Sequence, residues 1–206
     1  GRPLVWQPDD GEPPPRRAGG RRVWTGGARL EVDLLAPARE LRRRLDGKWR
    51  NMLGAAERSG LRISATGDAP ALAWLLHEAE QQRRQRRYAA PHPSFERNLA
   101  LASGPAASLL LEAVSAGCRV AAMLFLRHGA GATYRLGATT PAGRQLRAHQ
   151  GLLWQAMLTL KAAGCARLDL GQVDTVTSPG LARFKLGTGG TIRIQPGSYL
   201  LLPTRR

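Results

Sequence analysis

The 206-residue chain is long enough to bury a sizeable core and is read as one domain, since domains commonly run about 100 to 200 residues. Its 31 Lys and Arg against 15 Asp and Glu leave a formal charge of +16. That excess points to a polyanionic partner, whether nucleic acid, a nucleotide or an anionic membrane surface, although an arginine-rich composition carries the same charge with no function attached. Two cysteines, Cys118 and Cys165, stand far apart in apolar surroundings. They exclude a disulfide framework and a CxxC site and are expected to be reduced core residues. Apolar runs such as AAMLFL fall short of the roughly 18 residues of a membrane span, and GRPLVWQPDDGEPPPRR does not read as a signal peptide. The expectation is a soluble, cytoplasmic protein with no transmembrane segment.

In chain order, residues 1–28 are rich in Pro and Gly without apolar periodicity and predict an irregular arm or extended cover strand, with Val5 and Trp6 anchored on the body. The alternation in ARLEVDLL, 28–35, predicts the first strand. From Pro37 to about Arg58 a helical face carries Leu41, Leu45, Trp49, Met52, Leu53 and Ala56. Gly47 is a point where this helix can split, and Ser59-Gly60 supplies the stop. LRISATG, 61–67, predicts a short strand, and Asp68 a cap for a helix through about Arg87. A loop at Pro91 and Pro93 and a helical piece around Phe95 follow. SLLLEAV, CRVAAMLFLRH and TYRLGAT then predict a three-strand antiparallel meander, although LLLEAV alone does not separate strand from buried helix. A helix is predicted from Pro141 to Ala163-Gly164, then a strand over ARLDLG, a loop, a short helix over LARFKLG and two last strands.

This order resembles the GNAT acyltransferase superfamily, and two stretches sharpen the likeness to its FemAB-like branch. KWRNMLGAAERSGL, 48–61, is similar to that branch's WRN-x-L-x-x-A-E helix, and LDLGQVDTVTSPGLARFKLGTGG, 168–190, to its strand, loop and Phe-Lys helix. With YRLGATTPAGRQLRAHQGLLWQAMLTLKAAG they cover most of residues 30–202. The resemblance implies an α+β (mixed α/β) fold over residues 29–206, with a mostly antiparallel central sheet flanked by helices. It also implies acyl or aminoacyl transfer to an amine, with aminoacyl-tRNA or acyl-CoA as co-substrate and no permanently bound cofactor. Some members of the branch transfer an amino acid from aminoacyl-tRNA to a peptidoglycan precursor, many of them with two transferase domains. This chain has room for one.

Acyl transfer to an amine passes through a tetrahedral oxyanion and needs donors aimed at that oxygen, a route for the amine's proton and a dry cleft. Lys185, following Phe184 in a short helix, is the candidate stabiliser. The resemblance implies that this Phe-Lys pair supports the aminoacyl ester, with Phe184 at the donor. The alternative is a solvated lysine favoured by the helix dipole, but lysine is rare here: only Lys48, Lys161 and Lys185 occur. Asp174, in the loop beyond a strand's C-terminal end, is a candidate orienter or proton acceptor, or else caps its own loop. Asp169 alternates with Leu168 and Leu170 and so lies on the opposite sheet face, structural or lining the acceptor side. Trp49 reads as core or acceptor-binding, and Asn51, a poor helix former, as a tie to the sheet or an acceptor contact.

The resemblance would place a glycine-spaced phosphate turn at TTPAGRQLRAHQG, where only Gly143 comes early and Arg144, Arg147 and His149 follow. Side-chain contacts to a donor phosphate are expected instead of backbone cradling. The runs 42–44 and 83–87 can track an RNA backbone or form solvated helix faces. No P-loop, HExxH, GxSxG or zinc spacing occurs. Two classes remain: a transferase with its cleft between the meander and the 166–171 strand, and a non-catalytic RNA or anionic-surface binding module on the same fold.

Overall fold

The computed structural model describes residues 3–6, 8, 20–86 and 91–201. The expected end of the helix at about Arg87 and most of the Pro-rich arm lie outside them. The helical face after Pro37 divides as its glycine predicts, into α1 (Ala38–Arg44) and α2 (Gly47–Arg58). Asp46 sits at the break and accepts hydrogen bonds from the Lys48 and Trp49 amides, at 2.9 and 3.3 Å, satisfying two donors that a helix start leaves open. The strand β3 (Ala28–Asp33) precedes them, and β4 (Arg62–Thr66), α3 (Ala69–Arg86) and α4 (Pro93–Ser103) follow. Asp68 caps α3 by accepting from the Ala71 amide at 2.7 Å.

The meander forms as expected from β5 (Ser108–Ser115), β6 (Cys118–His128) and β7 (Gly131–Thr139), and LLLEAV is strand. The helix after Pro141 is interrupted: α5 (Pro141–Gln145) ends before Arg147, whose φ of 58° breaks the hydrogen-bond ladder, and α6 (Ala148–Ala162) restarts. The chain closes with β8 (Arg167–Val173), α7 (Pro179–Leu186), β9 (Thr191–Ile194) and β10 (Ser198–Leu201).

Seven strands make the main sheet in the order β4-β5-β6-β7-β8-β3-β9, and every pairing is antiparallel except β7 with β8. The expected first strand is in fact the third. Leu4–Trp6 (β1) and Arg21–Trp24 (β2) pair with β10 in a separate antiparallel sheet, so the arm's strands have partners from the far end of the chain that local periodicity does not reveal. Trp6 is half-buried opposite Tyr199, but Val5 is exposed rather than anchored.

Alternation along the meander divides the core by face. Leu111, Ala113, Met123 and Phe125 pack with Trp49 and Leu53 of α2 and Leu152, Leu153, Ala156 and Met157 of α6. Leu110, Ala122, Leu124 and Ala138 pack on the other side with Ala71, Leu75 and Ala79 of α3 and Ala100 of α4. Cys165 is buried as expected, whereas Cys118 is exposed where the turn between β5 and β6 lifts it from the core; both are free. No helix of the described residues is long and apolar enough to cross a membrane.

Candidate active site

β7 and β8 pair only from Gly131–Thr133 to Arg167–Asp169, after which both strands continue unpaired with each other, β7 to Thr139 and β8 to Val173. The strands part where a cleft between the meander and the 166–171 strand was expected, but the cleft beside α7 is lined by residues of α2, α6, α7 and their flanks and by none of β7 or β8. Within the diverging part β8 also carries a bulge: Arg29 opposes Gln172 and Glu31 opposes Asp169, so two residues of β8, Leu170 and Gly171, face one of β3. Gly171 takes a φ of 76°, a conformation glycine adopts without the steric cost of a Cβ. Its amide donates to Asp169 Oδ1 at 2.6 Å.

Lys185 reaches this bulge from α7. Its side chain is 94% buried, with 6% exposure, and Nζ donates to the Gln172 carbonyl at 2.8 Å. A Cβ at Gly171 would lie 3.8 Å from Nζ. An ammonium has three protons, so two remain for other acceptors. Burial lowers the Lys185 pKa from 10.5 to about 8; the Asp169 carboxylate pulls it up and the Arg29 guanidinium pushes it down. Asp169 is itself ion-paired with Arg29 across the β3–β8 pair and lies nearby as a charge, not as a direct partner of Lys185.

The segment after Lys185 is built by contact with the other end of the fold. Thr188, 1% exposed, donates its hydroxyl to the Lys185 carbonyl at 2.7 Å. Gly189 has a φ of 72°, and a Cβ there would stand 2.2 Å from the Arg44 carbonyl oxygen. The Asp46 amide donates to the Gly187 carbonyl at 2.9 Å, and Trp49 Nε1 donates to the Phe184 carbonyl at 3.0 Å. Trp49 is thus a core residue that clamps α7 to α2. Its ring lies 6.0 Å from that of Phe184, and the His149 ring lies 6.1 Å from Phe184. Beside this aromatic group a cleft of about 700 Å³ is lined by Lys48, Trp49, Met52, Gln150, Arg183 and Phe184 among others.

The other sequence-derived residues fall differently. Asp174 accepts from the Val176 and Thr177 amides at 2.9 and 2.8 Å and from the Thr177 hydroxyl, and these bonds hold its pKa below the usual aspartate value. It caps its own loop and stays ionised, which leaves little basicity for accepting a proton. Asn51 is exposed on α2 and hydrogen-bonds to no described residue, so the expected tie to the sheet is absent; Trp49, two residues earlier, makes the tie to α7. Gly143 is buried with its amide donating to Thr140 Oγ1 at 3.1 Å, and a Cβ there would stand 2.4 Å from the Val120 carbonyl oxygen. Close packing on β6 therefore explains that glycine. Arg144 and Arg147 are exposed and free of side-chain partners among the described residues.

The run 42–44 is neutralised within the protein. Arg42 makes a two-point contact with Glu57 at 2.6 and 2.7 Å, and Arg43 and Arg44 both bond Glu40. Arg83 and Arg84 bond Glu80 in the same way. These guanidinium bonds hold Glu40 and Glu80 at about 2, so the side chains of 42–44 are paired within the protein, while Arg83 and Arg84 share the single carboxylate of Glu80. Sequence reading missed Arg29, Gln172, Lys48 and Arg183. Nothing local marks Arg29 or Gln172, because their roles arise from strand pairing over more than a hundred residues.

The electrostatics around Lys185 can be tested directly, since the chain has only three lysines. In an NMR titration of the lysine side chains, Lys185 is expected to lose its proton near pH 8. It should titrate at lower pH in Asp169→Asn, where Arg29 is left beside it without the carboxylate, and at higher pH in Arg29→Met. A Lys185 that titrates together with Lys48 and Lys161 in all three proteins would contradict this arrangement.

The fold is similar to that of FemX, with a TM-score of 0.78 at 11% identity over 91% of this chain and 67% of that one. It is also similar to the C-terminal domain of a putative lysylphosphatidylglycerol synthetase from Agrobacterium fabrum, with a TM-score of 0.65 at 16% identity over 91% of this chain and 64% of that one. For L-PGS from Bacillus licheniformis the TM-score is 0.56 at 13% identity, over 89% of this chain and 62% of that one. The chain thus spans about two thirds of the length of these structures, and at such identities the likeness is one of fold. No curated protein sequence matches the chain significantly. The family model described as "Acetyltransferase (GNAT) domain" matches residues 39–186, well over half of the sequence and inclusive of α2, the diverging strands and Lys185. The chain therefore belongs to the GNAT acetyltransferase-domain family and is an acyltransferase.

Proposed function

We propose that the protein transfers an aminoacyl group from aminoacyl-tRNA to an amine by direct attack, with no covalent enzyme intermediate. The observation that carries this reading is Lys185, buried at the point where β8 has left β7, with two protons uncommitted and a pKa of about 8. As the amine nitrogen bonds to the acyl carbon, the carbonyl oxygen gathers negative charge, and a desolvated ammonium beside it stabilises that charge more than one in water would. Collapse breaks the acyl C–O bond to the ribose, and the amine's proton leaves while the ribose oxygen gains one. A group with a pKa near the working pH is suited to take part in that proton movement.

The tRNA donor is supported by chemistry at the neighbouring cleft. Lys48 and Arg183 line it, Arg147 precedes the α6 turn that carries Gln150 into it, and none of the three cations has an ion-pair partner among the described residues. Phe184 offers the cleft an apolar ring. Gly143, held against β6, does not supply the open glycine turn that cradles a pyrophosphate. The name of the similar lysylphosphatidylglycerol synthetase domain describes attachment of a lysyl group, which supports an aminoacyl group as what is transferred. The acetyltransferase description of the family favours acyl-CoA as the second reading.

Pooled aminoacyl-tRNAs carrying labelled amino acids, incubated with the protein and a panel of amines, decide between them. The expected result is amide formation that ribonuclease abolishes. Lys185→Ala should lose it while tRNA affinity stays within a few fold. Transfer from acetyl-CoA but not from tRNA would establish the second reading, and RNA binding with no transfer from either donor would leave only a binding module.

A further inference from the structure

A second cavity, of about 900 Å³, opens on the opposite face of the main sheet. Its apolar lining comes from Leu72 and Leu76 of α3, Ala100 and Leu101 of α4, and Leu110 and Leu124 of β5 and β6. These strand residues belong to the core on the α3–α4 side, whereas Trp49 and Phe184 pack with the core on the α2–α6 side. The sheet therefore separates this cavity from Lys185. A largely apolar cavity of this size with a few polar groups at its edge is the usual form of a small-molecule site, for which volumes of about 300 to 1,000 Å³ are common.

The edge groups determine the charge it would take. Two carboxylates border the cavity and both are engaged inside the protein: Glu80 accepts from Arg83 and Arg84, and Asp68 Oδ1 accepts from the Ala71 amide at 2.7 Å. His77 is hydrogen-bonded to Gln81, and His92 accepts from the Ser94 amide at the start of α4. Arg97 also borders the cavity, is exposed, and makes no hydrogen bond or ion pair with a described residue. Asp68 keeps its charge, held by an amide, and Arg97 is the one lysine or arginine in the lining; it has no ion-pair partner among the described residues, and its planar fork suits a carboxylate.

We propose that this cavity binds a long-chain fatty acid, its hydrocarbon against the leucines of α3, α4 and the meander and its carboxylate paired with Arg97. Burial of the chain supplies the affinity and the ion pair at the edge sets which end points out. The proposal does not depend on the identity of the acyl donor or on Lys185.

Titration of the full chain with the fluorescent fatty acid cis-parinaric acid tests it. Saturable binding of one probe per chain is expected, displaced by palmitate and at least tenfold less well by methyl palmitate. Arg97→Glu should weaken binding at least tenfold. Ala73→Trp, at an exposed position on the cavity wall, should block it while the thermal midpoint stays near that of the parent. Lys185→Ala should bind the probe like the parent, so a failed transferase reading leaves this result untouched. Absence of saturable binding, equal displacement by acid and ester, or parent-like binding by both Arg97→Glu and Ala73→Trp would overturn the proposal.

Discussion

Lys185→Met is expected to lower acyl transfer by about 10²- to 10³-fold, the usual effect of removing one donor to a developing oxyanion, and at the same time to raise thermal stability. The second half follows from linkage. The Lys185 pKa falls from 10.5 to about 8 on folding, so the charged side chain opposes folding. At about 1.4 kcal/mol per unit the opposition is on the order of 3 kcal/mol, less what residual solvent contact screens. That cost is fully present below pH 8, where both states carry the proton. It fades as pH rises toward 10.5, because the unfolded chain then holds a proton the folded one has lost. Methionine removes the charge and keeps the volume, while the Gln172 carbonyl loses its donor at roughly 1 kcal/mol. A net gain of about 1 to 2 kcal/mol, or several degrees in Tm, is expected at pH 7 and none near pH 10.5. Melting curves at both pH values together with transfer assays measure it. A variant that is inactive and also less stable at pH 7 would mean that Lys185 holds the fold together and is not kept there for chemistry.

Trp49→Ala is expected to cost about 3 to 5 kcal/mol, as for other buried aromatic residues cut back to alanine. The side chain is 4% exposed, its N–H serves the Phe184 carbonyl, and its ring fills the space above Gly187. Trp49→Phe keeps most of the packing and should lose only about 1 kcal/mol with the hydrogen bond. Gly187→Ala provides the counterpart, because its Cβ would come within 2.6 Å of Trp49 Cδ1. Alone it should destabilise by roughly 1 to 3 kcal/mol through overpacking. In the Trp49→Ala background it should be close to neutral, since the clashing atom is gone. Denaturant unfolding of the four proteins gives the coupling. Additive losses would mean that Trp49 and Gly187 are not in contact. Because α7 carries Lys185, Trp49→Ala should also reduce transfer by more than its unfolded fraction explains.

Much of this molecule is legible locally. The split at Gly47, the Asp68 cap, the three meander strands and the Phe-Lys helix follow from periodicity and capping chemistry, which act over a few residues. The family likeness carried by 48–61 and 168–190 leads to the same fold. Less legible were the features that depend on distant partners. RRVW at Arg21–Trp24 is a strand because β10 pairs with it, and Asn51 points outward because Trp49 occupies the face toward α7. Asp174 was expected as an orienter or proton acceptor and Asp169 as structural or lining the acceptor side; the first is committed to its own loop and the second to Arg29, 140 residues away. The helix after Pro141 breaks at Arg147, a left-handed turn that its composition does not announce.

The sequence alone pointed to the class of fold through the family resemblance carried by 48–61 and 168–190, and to Lys185 through that resemblance and the rarity of lysine in an arginine-rich chain. Only the tertiary structure decided what that lysine is. Its burial, its depressed pKa and its contact with Gln172 come from a bulge at Gly171, a strand that parts from its neighbour after Thr133, and an arginine on β3. Desolvation and long-range charge are properties of groups brought together by folding, and no spacing along the chain encodes them.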